Sequence, residues 1–175
     1  MDELWTARLS LVAPSLGYAQ DVFEYASDPV FCEFIDAAPA RTVVDAEVFI
    51  ASIIKDNLAG RRMYWMITLG GHAIGTVGYL FTYGAKHKTQ ELGYGISAKY
   101  WEQGYFSEAA REVIRYGFEV LGLKRIQVPT RADNLRSVNA ALRLGFIREA
   151  TLKSFYETNR GWVDCALFSM VRAED

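Results

Sequence analysis

Cysteine and histidine are scarce in this sequence, and neither sign of charge dominates it. Only two cysteines and two histidines occur among 175 residues. Cys32 and Cys165 lie far apart, and neither has the second thiol or imidazole nearby that a zinc site requires. We therefore expect no bound metal. The formal net charge of −2 gives no overall electrostatic reason to bind nucleic acid, so we expect no nucleic-acid partner.

Long apolar runs, repeats and linker-like segments are also missing. No run approaches the length of a bilayer-spanning helix, and Asp2 and Glu3 stand where a secretory signal would carry basic residues. We expect a cytoplasmic protein with no membrane partner. Apolar residues make up 51% of the chain, enough for one substantial core at this length. We expect a single domain over residues 1–175.

What the sequence does contain is a regular succession of strand and helix patterns. Alternating or β-branched segments predict strands, and apolar residues at helical spacing predict helices. Gly70-Gly71 suits a two-residue hairpin turn between two of the strands. The result is an α/β protein with a mixed sheet. The predicted strands are 8–13, 63–69, 73–83, 90–96, 124–130, 146–156 and 162–171, and the predicted helices are 16–26, 42–57, 105–121 and 134–145.

The second predicted helix begins with a capping pattern. Thr42 is followed three residues later by Asp45, which takes the place of the usual Glu in a capping box. The chain pattern also predicts that Asp28-Pro29 ends the first helix. The apolar residues expected to form the buried stripe of the second helix are Val44, Val48, Phe49 and Ile53.

The segment Tyr100–Ala110 joins a predicted strand to a predicted helix through Gly104. A strand that turns through a glycine into a helix start presents several free backbone N–H groups, with the positive end of the helix dipole behind them. Such a site binds anions, and a diphosphate would suit it. Asn134-Leu135-Arg136-Ser137 opens the next helix, which leads into Gly145-Phe146. Together the two segments indicate an acyl-coenzyme A enzyme.

These features resemble the GNAT superfamily of N-acetyltransferases, and most closely its Rim-type branch, which includes ribosomal-protein N-terminal acetyltransferases. The resemblance runs from Thr6–Leu11 to Trp162–Met170 and is most specific at Glu91–Tyr94, Trp101–Tyr105 and Ser107–Ala109. It implies the GNAT fold, a central and mostly antiparallel sheet with one splayed strand pair and flanking helices. The splayed strands would be the predicted strands 90–96 and 124–130.

The resemblance also implies acetyl-CoA as the acetyl donor. The family's pyrophosphate pattern falls on Trp101, Gly104 and Phe106, and Phe106 stands where the family usually has a small residue. Because backbone N–H groups make this contact, a larger side chain can be tolerated there if it points away. Asn134 would contact the pantetheine arm or cap its helix, or do both. The implied coenzyme contacts are Gly95, Ile96, Gln103, Gly104, Tyr105, Phe106, Ser107, Asn134 and Ser137.

Acetyl transfer to an amine needs a neutral amine, a donor for the oxyanion and a route for protons. The resemblance makes Glu91 the general base, although a solvated or ion-paired strand-end Glu is the alternative. The Tyr that many GNAT enzymes use as general acid is replaced by Ala141. Ser137, Tyr94 or a water could donate that proton, and Ser137 could instead bond to local backbone.

The implied function is therefore transfer of an acetyl group to a primary amine by direct attack in a ternary complex. The amine could belong to a protein N-terminus or to a small molecule such as an amino sugar. The alternative is a non-catalytic acyl-CoA-binding or sensing domain, which the replacement by Ala141 and the presence of Phe106 would suit.

The acceptor site is expected between the first helices, the loop Phe34–Arg41 and the last hairpin. Tyr156, Trp162 and Phe34 are candidate lining residues, and packing in the core is the alternative for each of them. The apolar last strand would also permit a homodimer. Charges near this site are expected to balance, with Glu33, Asp36, Glu157 and Asp164 against Arg41, Lys153 and Arg160.

Overall fold

A computed structural model describes residues 1–35, 38–158 and 161–173. Within these ranges the strands form one sheet in the order β1-β2-β3-β4-β5-β6-β8-β7. Helices flank both faces. The strands are β1 (Leu4–Trp5), β2 (Ser10–Val12), β3 (Arg62–Leu69), β4 (His72–Leu80), β5 (Thr89–Ile96), β6 (Arg125–Arg131), β7 (Ile147–Thr158) and β8 (Gly161–Val171), and the α-helices are α1 (Ala19–Ala26), α2 (Pro29–Cys32), α3 (Val43–Leu58), α4 (Tyr105–Glu119) and α5 (Leu135–Leu144).

The mixed, mostly antiparallel sheet with flanking helices confirms the predicted fold class. β5 and β6 pair in parallel, and the other neighbouring strands of the described ranges pair antiparallel. Two short elements were not predicted from the pattern. β1 pairs Leu4 with Leu11 of β2, and α2 starts at the Asp28-Pro29 pair that was expected only to end a helix. The Asp28 carboxylate accepts from the Val30 amide at 2.9 Å, and Pro29 suits a first helical turn.

Two apolar cores lie on the two faces of the sheet. Trp65 and Met66 are adjacent in β3 and both are fully buried, because successive strand side chains point to opposite faces. Trp65 belongs to the larger core, which includes Val113 of α4 and Ala141 of α5. Met66 belongs to the smaller core with α1 and α3. The sheet is therefore covered on both sides, and its strands are held rigidly.

The predicted capping box of α3 is confirmed, but its predicted buried stripe is wrong at three of its four residues, since only Ile53 is buried. Thr42 accepts from the Asp45 amide, and Asp45 accepts from the Thr42 amide. Val44 and Val48 are 60% and 65% exposed, and Phe49 is also exposed. The small side chain at Ala46 lets the opposite face approach the sheet closely, so that face is buried instead. Its buried residues are Ala46, Ile50 and Ile53.

The feature that positions the site is the early separation of β5 from β6. The two strands pair at Thr89↔Arg125, Gln90↔Ile126 and Glu91↔Gln127. Beyond Glu91, β5 continues to pair with β4, and β6 continues to pair with β8. Each strand therefore has one edge that faces the other across a gap, as expected for the splayed pair.

Two expectations concern residues that the structure does not describe. Asp36 and Arg160, both predicted near the acceptor site, lie outside the described ranges. The sequence Thr158-Asn159-Arg160-Gly161, which has a composition typical of a turn, also lies partly outside them. In the described part of the chain, no helix is both long enough and apolar enough to cross a membrane.

Candidate active site

A cleft of about 1820 Å³ opens where β5 and β6 separate. One end, which we call the basic end, is formed by Arg8, the segment from Tyr100 to Arg111 and the exposed face of α5. The other, the aromatic end, is formed by α2 and the residues after it, Tyr64, the end of β6 and residues 155–158 of β7. The separating strands connect the two ends.

The basic end is built around the loop before α4. Glu102 and Gly104 both adopt left-handed backbone conformations, with φ of 62° and 80°. Gly104 precedes the first residue of α4 and has no side-chain cap. The amides at the start of α4 are therefore free to meet an anion, and the helix dipole favours one. Gly104 and Ser107 line the cleft at this position.

A partly exposed brace of hydrogen bonds holds this loop from behind. The Glu108 carboxylate accepts from the Thr6 hydroxyl at 2.6 Å, the Arg8 amide at 2.8 Å and Arg8 Nε at 2.7 Å. Arg8 also donates to the Gln103 carbonyl at 3.2 Å and lies 4.3 Å from the ring centroid of Tyr105. Burial alone would raise the pKa of Glu108, but these hydrogen bonds outweigh it and lower that pKa. The start of the chain therefore fixes the shape of the loop.

Further arginines line the basic end. Arg111, Arg136 and Arg143 reach the cleft and form no salt bridge with any described residue. The Arg136 guanidinium lies 3.9 Å above the ring of Trp101, a cation–π contact. Their charges add to the helix dipole, so this end of the cleft suits a ligand that carries several phosphates.

The structure separates the predicted coenzyme residues into two groups. The side chains of Gln103 and Tyr105 are used elsewhere, since Gln103 donates to the Lys99 carbonyl at 2.9 Å and Tyr105 packs under Arg8. Only their backbone groups remain available for the predicted contact. The other predicted residues line one cleft, and they are Gly95, Ile96, Gly104, Phe106, Ser107, Asn134 and Ser137.

The Phe106 side chain does not turn away from the cleft. Its ring lines the cleft and lies 4.1 Å from the ring of Tyr94, centroid to centroid. The large residue at this position therefore forms part of the cleft wall. It packs against Tyr94 where the family pattern would have a small residue and leave open space.

Asn134 and Ser137 connect α5 to the splayed strands. The Asn134 side chain accepts from the Ser137 amide at 3.1 Å, which confirms the predicted N-cap. The Ser137 hydroxyl bonds to side chains and not to local backbone: it lies 2.5 Å from the Tyr94 hydroxyl and accepts from Thr130 at 2.9 Å. Burial raises the pKa of Tyr94, and the bond to Ser137 only partly offsets this. The Tyr94 hydroxyl therefore keeps its proton.

Glu91 stands at the last position where β5 and β6 pair, one residue before the part of β5 that lines the cleft, and it is not itself among the lining residues. Its carboxylate accepts from Gln127 Nε2 at 3.2 Å and forms no salt bridge with any described residue. The described residues therefore do not support the alternative in which Glu91 is ion-paired. Burial raises the pKa of the nearby Tyr156 hydroxyl, and Cys165 and Glu91 add to that effect.

Gln127 belongs to a row of polar side chains that crosses the sheet. Its amide donates to Tyr83 at 2.8 Å as well as to Glu91, and its amide oxygen lies 3.5 Å from Arg125 Nε. Arg125 in turn is paired with Glu149, whose carboxylate also accepts from Ser169. Arg125 and Ser169 lower the pKa of Glu149 to about 2. The row fixes which way the Gln127 amide faces.

Two glycines of β5 make room for aromatic side chains beside Glu91. A Cβ on Gly93 would lie 1.8 Å from the Tyr64 hydroxyl oxygen, and a Cβ on Gly95 would lie 3.1 Å from the Phe31 ring. Glycines inside a strand are typical of places where another group approaches the backbone closely. The approaching groups in the structure are these two side chains, neither of which was identified from the sequence.

The remaining candidate residues of the last hairpin do not all line the cleft. Tyr156 lines the aromatic end, as expected, together with Phe34. Trp162 is 61% exposed and does not line the cleft. Asp164 holds the hairpin, because it accepts from Lys153 Nζ at 2.8 Å and from the Ser154 amide at 3.0 Å.

Comparison with known proteins gives a consistent result. An acetyltransferase (GNAT) domain family matches residues 8–147. An N-acetyltransferase of Bacillus licheniformis, p20, is 28% identical over 176 residues, which cover 99% of this chain and 98% of the relative. The ribosomal-protein-serine acetyltransferase of Escherichia coli is 33% identical over 85 residues, or 49% of this chain and 48% of that protein. This match agrees with the Rim-type resemblance.

Solved structures show the same fold. A GNAT-family acetyltransferase from Bacillus anthracis superposes with a TM-score of 0.85 at 23% identity, over 97% of this chain and 98% of that one. The microcin C7 self-immunity acetyltransferase MccE, solved in complex with acetyl-CoA and AMP, gives a TM-score of 0.84 at 24% identity, over 95% and 93%. The expected GNAT fold is thus confirmed.

Proposed function

The chain belongs to the GNAT acetyltransferase family and is an N-acetyltransferase, and from this premise we propose that it transfers an acetyl group from acetyl-CoA to a primary amine by direct attack in a ternary complex. The observation that carries this proposal is the separation of β5 from β6 immediately after Glu91. It places a free strand edge and an anion site along one cleft. The Glu91 carboxylate, which has no ion pair among the described residues, lies one position before the β5 residues that line this cleft.

The residues of the cleft fit acetyl-CoA. The free amides before α4 and the arginines of the basic end suit its phosphates. The free edge of β5 near Gly95 and Ile96 offers backbone donors and acceptors to its amide-containing arm, and Asn134 still has its amide NH₂ without a partner among the described residues. When bound, the coenzyme would supply an activated acetyl group.

Glu91 is the general base of the proposed reaction. Direct attack requires the amine to lose a proton, and a carboxylate within reach, or one water away, can accept it at Oε1 or Oε2. The Gln127 amide holds this carboxylate at the point where β5 and β6 separate. Because no cation of the described chain is paired with Glu91, its charge is available to the incoming amine.

Tyr94 is the proton donor for the leaving sulfur, with Ser137 acting through it. Thr130 donates to Ser137, so the Ser137 hydrogen can point to Tyr94 and leave the Tyr94 hydrogen free. This hydroxyl replaces the one that Ala141 cannot supply. The main argument for a non-catalytic sensing domain was the general acid missing at Ala141, and in this proposal the Tyr94 hydroxyl supplies that acid.

A two-part experiment tests the proposal. Titration calorimetry should detect acetyl-CoA binding to the parent, and a thiol assay should detect amine-dependent release of coenzyme A. We expect Glu91→Gln to lower kcat by at least about 100-fold and to leave acetyl-CoA affinity unchanged. Glu47→Gln, on the exposed side of α3 and outside the cleft lining, is the matched control and should keep most activity. Binding without release for any amine would favour the sensing domain instead.

Other aspects stay predictions. The acceptor may be tested first among protein N-termini and small amines such as amino sugars, since the sequence left both open. A cytoplasmic location, a single domain over residues 1–175 and a homodimer also remain proposals. β7 lies at an edge of the sheet, which offers a second copy a strand to pair with.

A further inference from the structure

We propose that the acceptor is a primary amine attached a few bonds from an aromatic or similarly flat apolar group, with no carboxylate or phosphate beside the amine. This inference rests on the proposed function and names the substrate class of the same cleft. Three independent observations at the aromatic end support it: its rings, a strained bulge that presents one of them, and its charges.

Aromatic rings line this end from separate parts of the chain. Phe31 and Phe34 come from α2 and the residues after it, Tyr64 from β3, and Phe155 and Tyr156 from β7. Phe155 is 51% exposed although it is a large apolar residue on a cleft wall. Flat apolar ligands gain most from such walls, because aromatic rings stack or meet edge to face over a large contact area.

A bulge in β7 presents Phe155. Leu152 pairs with Cys165 and Tyr156 with Val163, so three residues of β7 stand opposite Asp164 alone. Ser154, at the centre of the bulge, has a φ of 47°, which is unfavourable for a residue with a side chain. Asp164 holds it through its bonds to Lys153 and Ser154. Bulges beside functional sites commonly re-aim a side chain, and strain kept in this way is typical of such sites.

The charges of the aromatic end disfavour an anionic acceptor. Among the described residues that line it, Arg131 is the one cation, and it is already occupied. Its guanidinium makes two bonds to the Asp133 carboxylate, at 3.0 and 2.6 Å, donates to the Glu33 carbonyl and lies over the Phe34 ring. Glu33 and Glu157 are exposed at the rim. A carboxylate next to the amine would meet like charge without a free cation to bind it.

Matched amines test the inference. The thiol assay should give 2-phenylethylamine a kcat/KM about fivefold above hexylamine, which lacks the ring. Phenylalaninamide should exceed phenylalanine by at least about tenfold, because only phenylalanine carries the carboxylate. A preference for phenylalanine, or higher kcat/KM for hexylamine, spermidine or glucosamine, would overturn the inference while leaving the enzyme an acetyltransferase.

Variants locate the effect. Phe155→Leu keeps an apolar side chain but removes the ring, and it should erase the advantage of 2-phenylethylamine over hexylamine. Trp162→Leu, an exposed aromatic of the same hairpin outside the cleft, is the control and should keep that advantage. Equal loss in both variants would contradict the assignment of Phe155.

A binding measurement separates failure of the inference from failure of the proposed function. Calorimetry with coenzyme A-saturated protein should detect 2-phenylethylamine and not phenylalanine. If that selectivity is found but no amine releases coenzyme A, the site's ligand class stands and the catalytic proposal fails. If neither amine binds, the inference is wrong.

Discussion

The two ends of the cleft are built in different ways. The basic end takes its main feature, the loop before α4, from one contiguous segment, and its chemistry is supplied mostly by backbone amides and arginines. The aromatic end is assembled from separate segments, and its chemistry is supplied by side chains. A ligand common to a whole family suits a backbone site, since backbone tolerates side-chain change. A variable acceptor suits walls that can change residue by residue.

The largest effect is expected where the two ends meet. Tyr94→Phe removes the hydroxyl bonded to Ser137 and should lower kcat by about 100-fold, with little change in acetyl-CoA affinity. Tyr100→Phe changes another tyrosine of the basic end and is the control. Equal kcat values for parent and Tyr94→Phe in the thiol assay would remove Tyr94 from the mechanism.

The next effect should be confined to the basic end. Gly104→Val forces a branched residue into a left-handed conformation, at a cost of about 2 kcal/mol, so we expect acetyl-CoA affinity to fall roughly thirtyfold by calorimetry. Gly84→Val is the matched control, because Gly84 also has a positive φ, of 88°, but lies outside the cleft lining. Similar affinity losses in both variants would indicate general destabilisation.

A smaller effect on kcat is expected from a variant that alters only the surroundings of Glu91, the proposed general base. Gln127→Met keeps the side-chain volume but removes the hydrogen bond to Glu91. We expect kcat to fall about tenfold while the KM for acetyl-CoA stays constant, since a hydrogen bond to a charged carboxylate contributes about 1.5 kcal/mol. Gln103→Met, in the loop of the basic end, serves as the control. A change in KM alone would show that Gln127 supports the cleft and not the base.

The smallest effect concerns stability and pH. Glu149 has its pKa lowered to about 2 by Arg125 and Ser169, against about 4.3 when unfolded. Its stabilising contribution is therefore complete above the unfolded value and is lost as the pH falls towards 2. Because Glu149 is 39% exposed, Glu149→Gln should cost less than about 1 kcal/mol at neutral pH. Urea unfolding curves of parent and variant should converge in acid; a constant gap would contradict this.

The same contrast explains what could be predicted from the sequence. Local signals placed the loop at Gly104, the cap at Asn134 and the capping box of α3, because each depends on neighbours in the chain. The prediction of the buried face of α3 was wrong at Val44, Val48 and Phe49, because both faces of this helix carry apolar residues. Only packing against the sheet determines which face is buried. The resemblance, and not a local pattern, pointed to the splayed strands.

Contacts between distant segments could not be predicted. Glu108 meets Thr6 and Arg8 across about one hundred residues, with sequence separations of 102 and 100. The bulge around Ser154 depends on Asp164 in the next strand, and Phe31 reaches Gly95 only in the folded chain. No sequence periodicity links such residues, so the arrangement of the aromatic end could be recognised only in the folded structure.

The brace behind the loop has a practical consequence for handling this protein. Leu4 is buried, and Thr6 and Arg8 are hydrogen-bonded to Glu108. We therefore expect residues fused ahead of Met1 to disturb the loop that shapes the basic end. The end of β8 is paired with Arg125, at the opposite end of β6 from the cleft. An affinity tag or fluorescent fusion therefore belongs after the last strand, where it should leave coenzyme binding undisturbed.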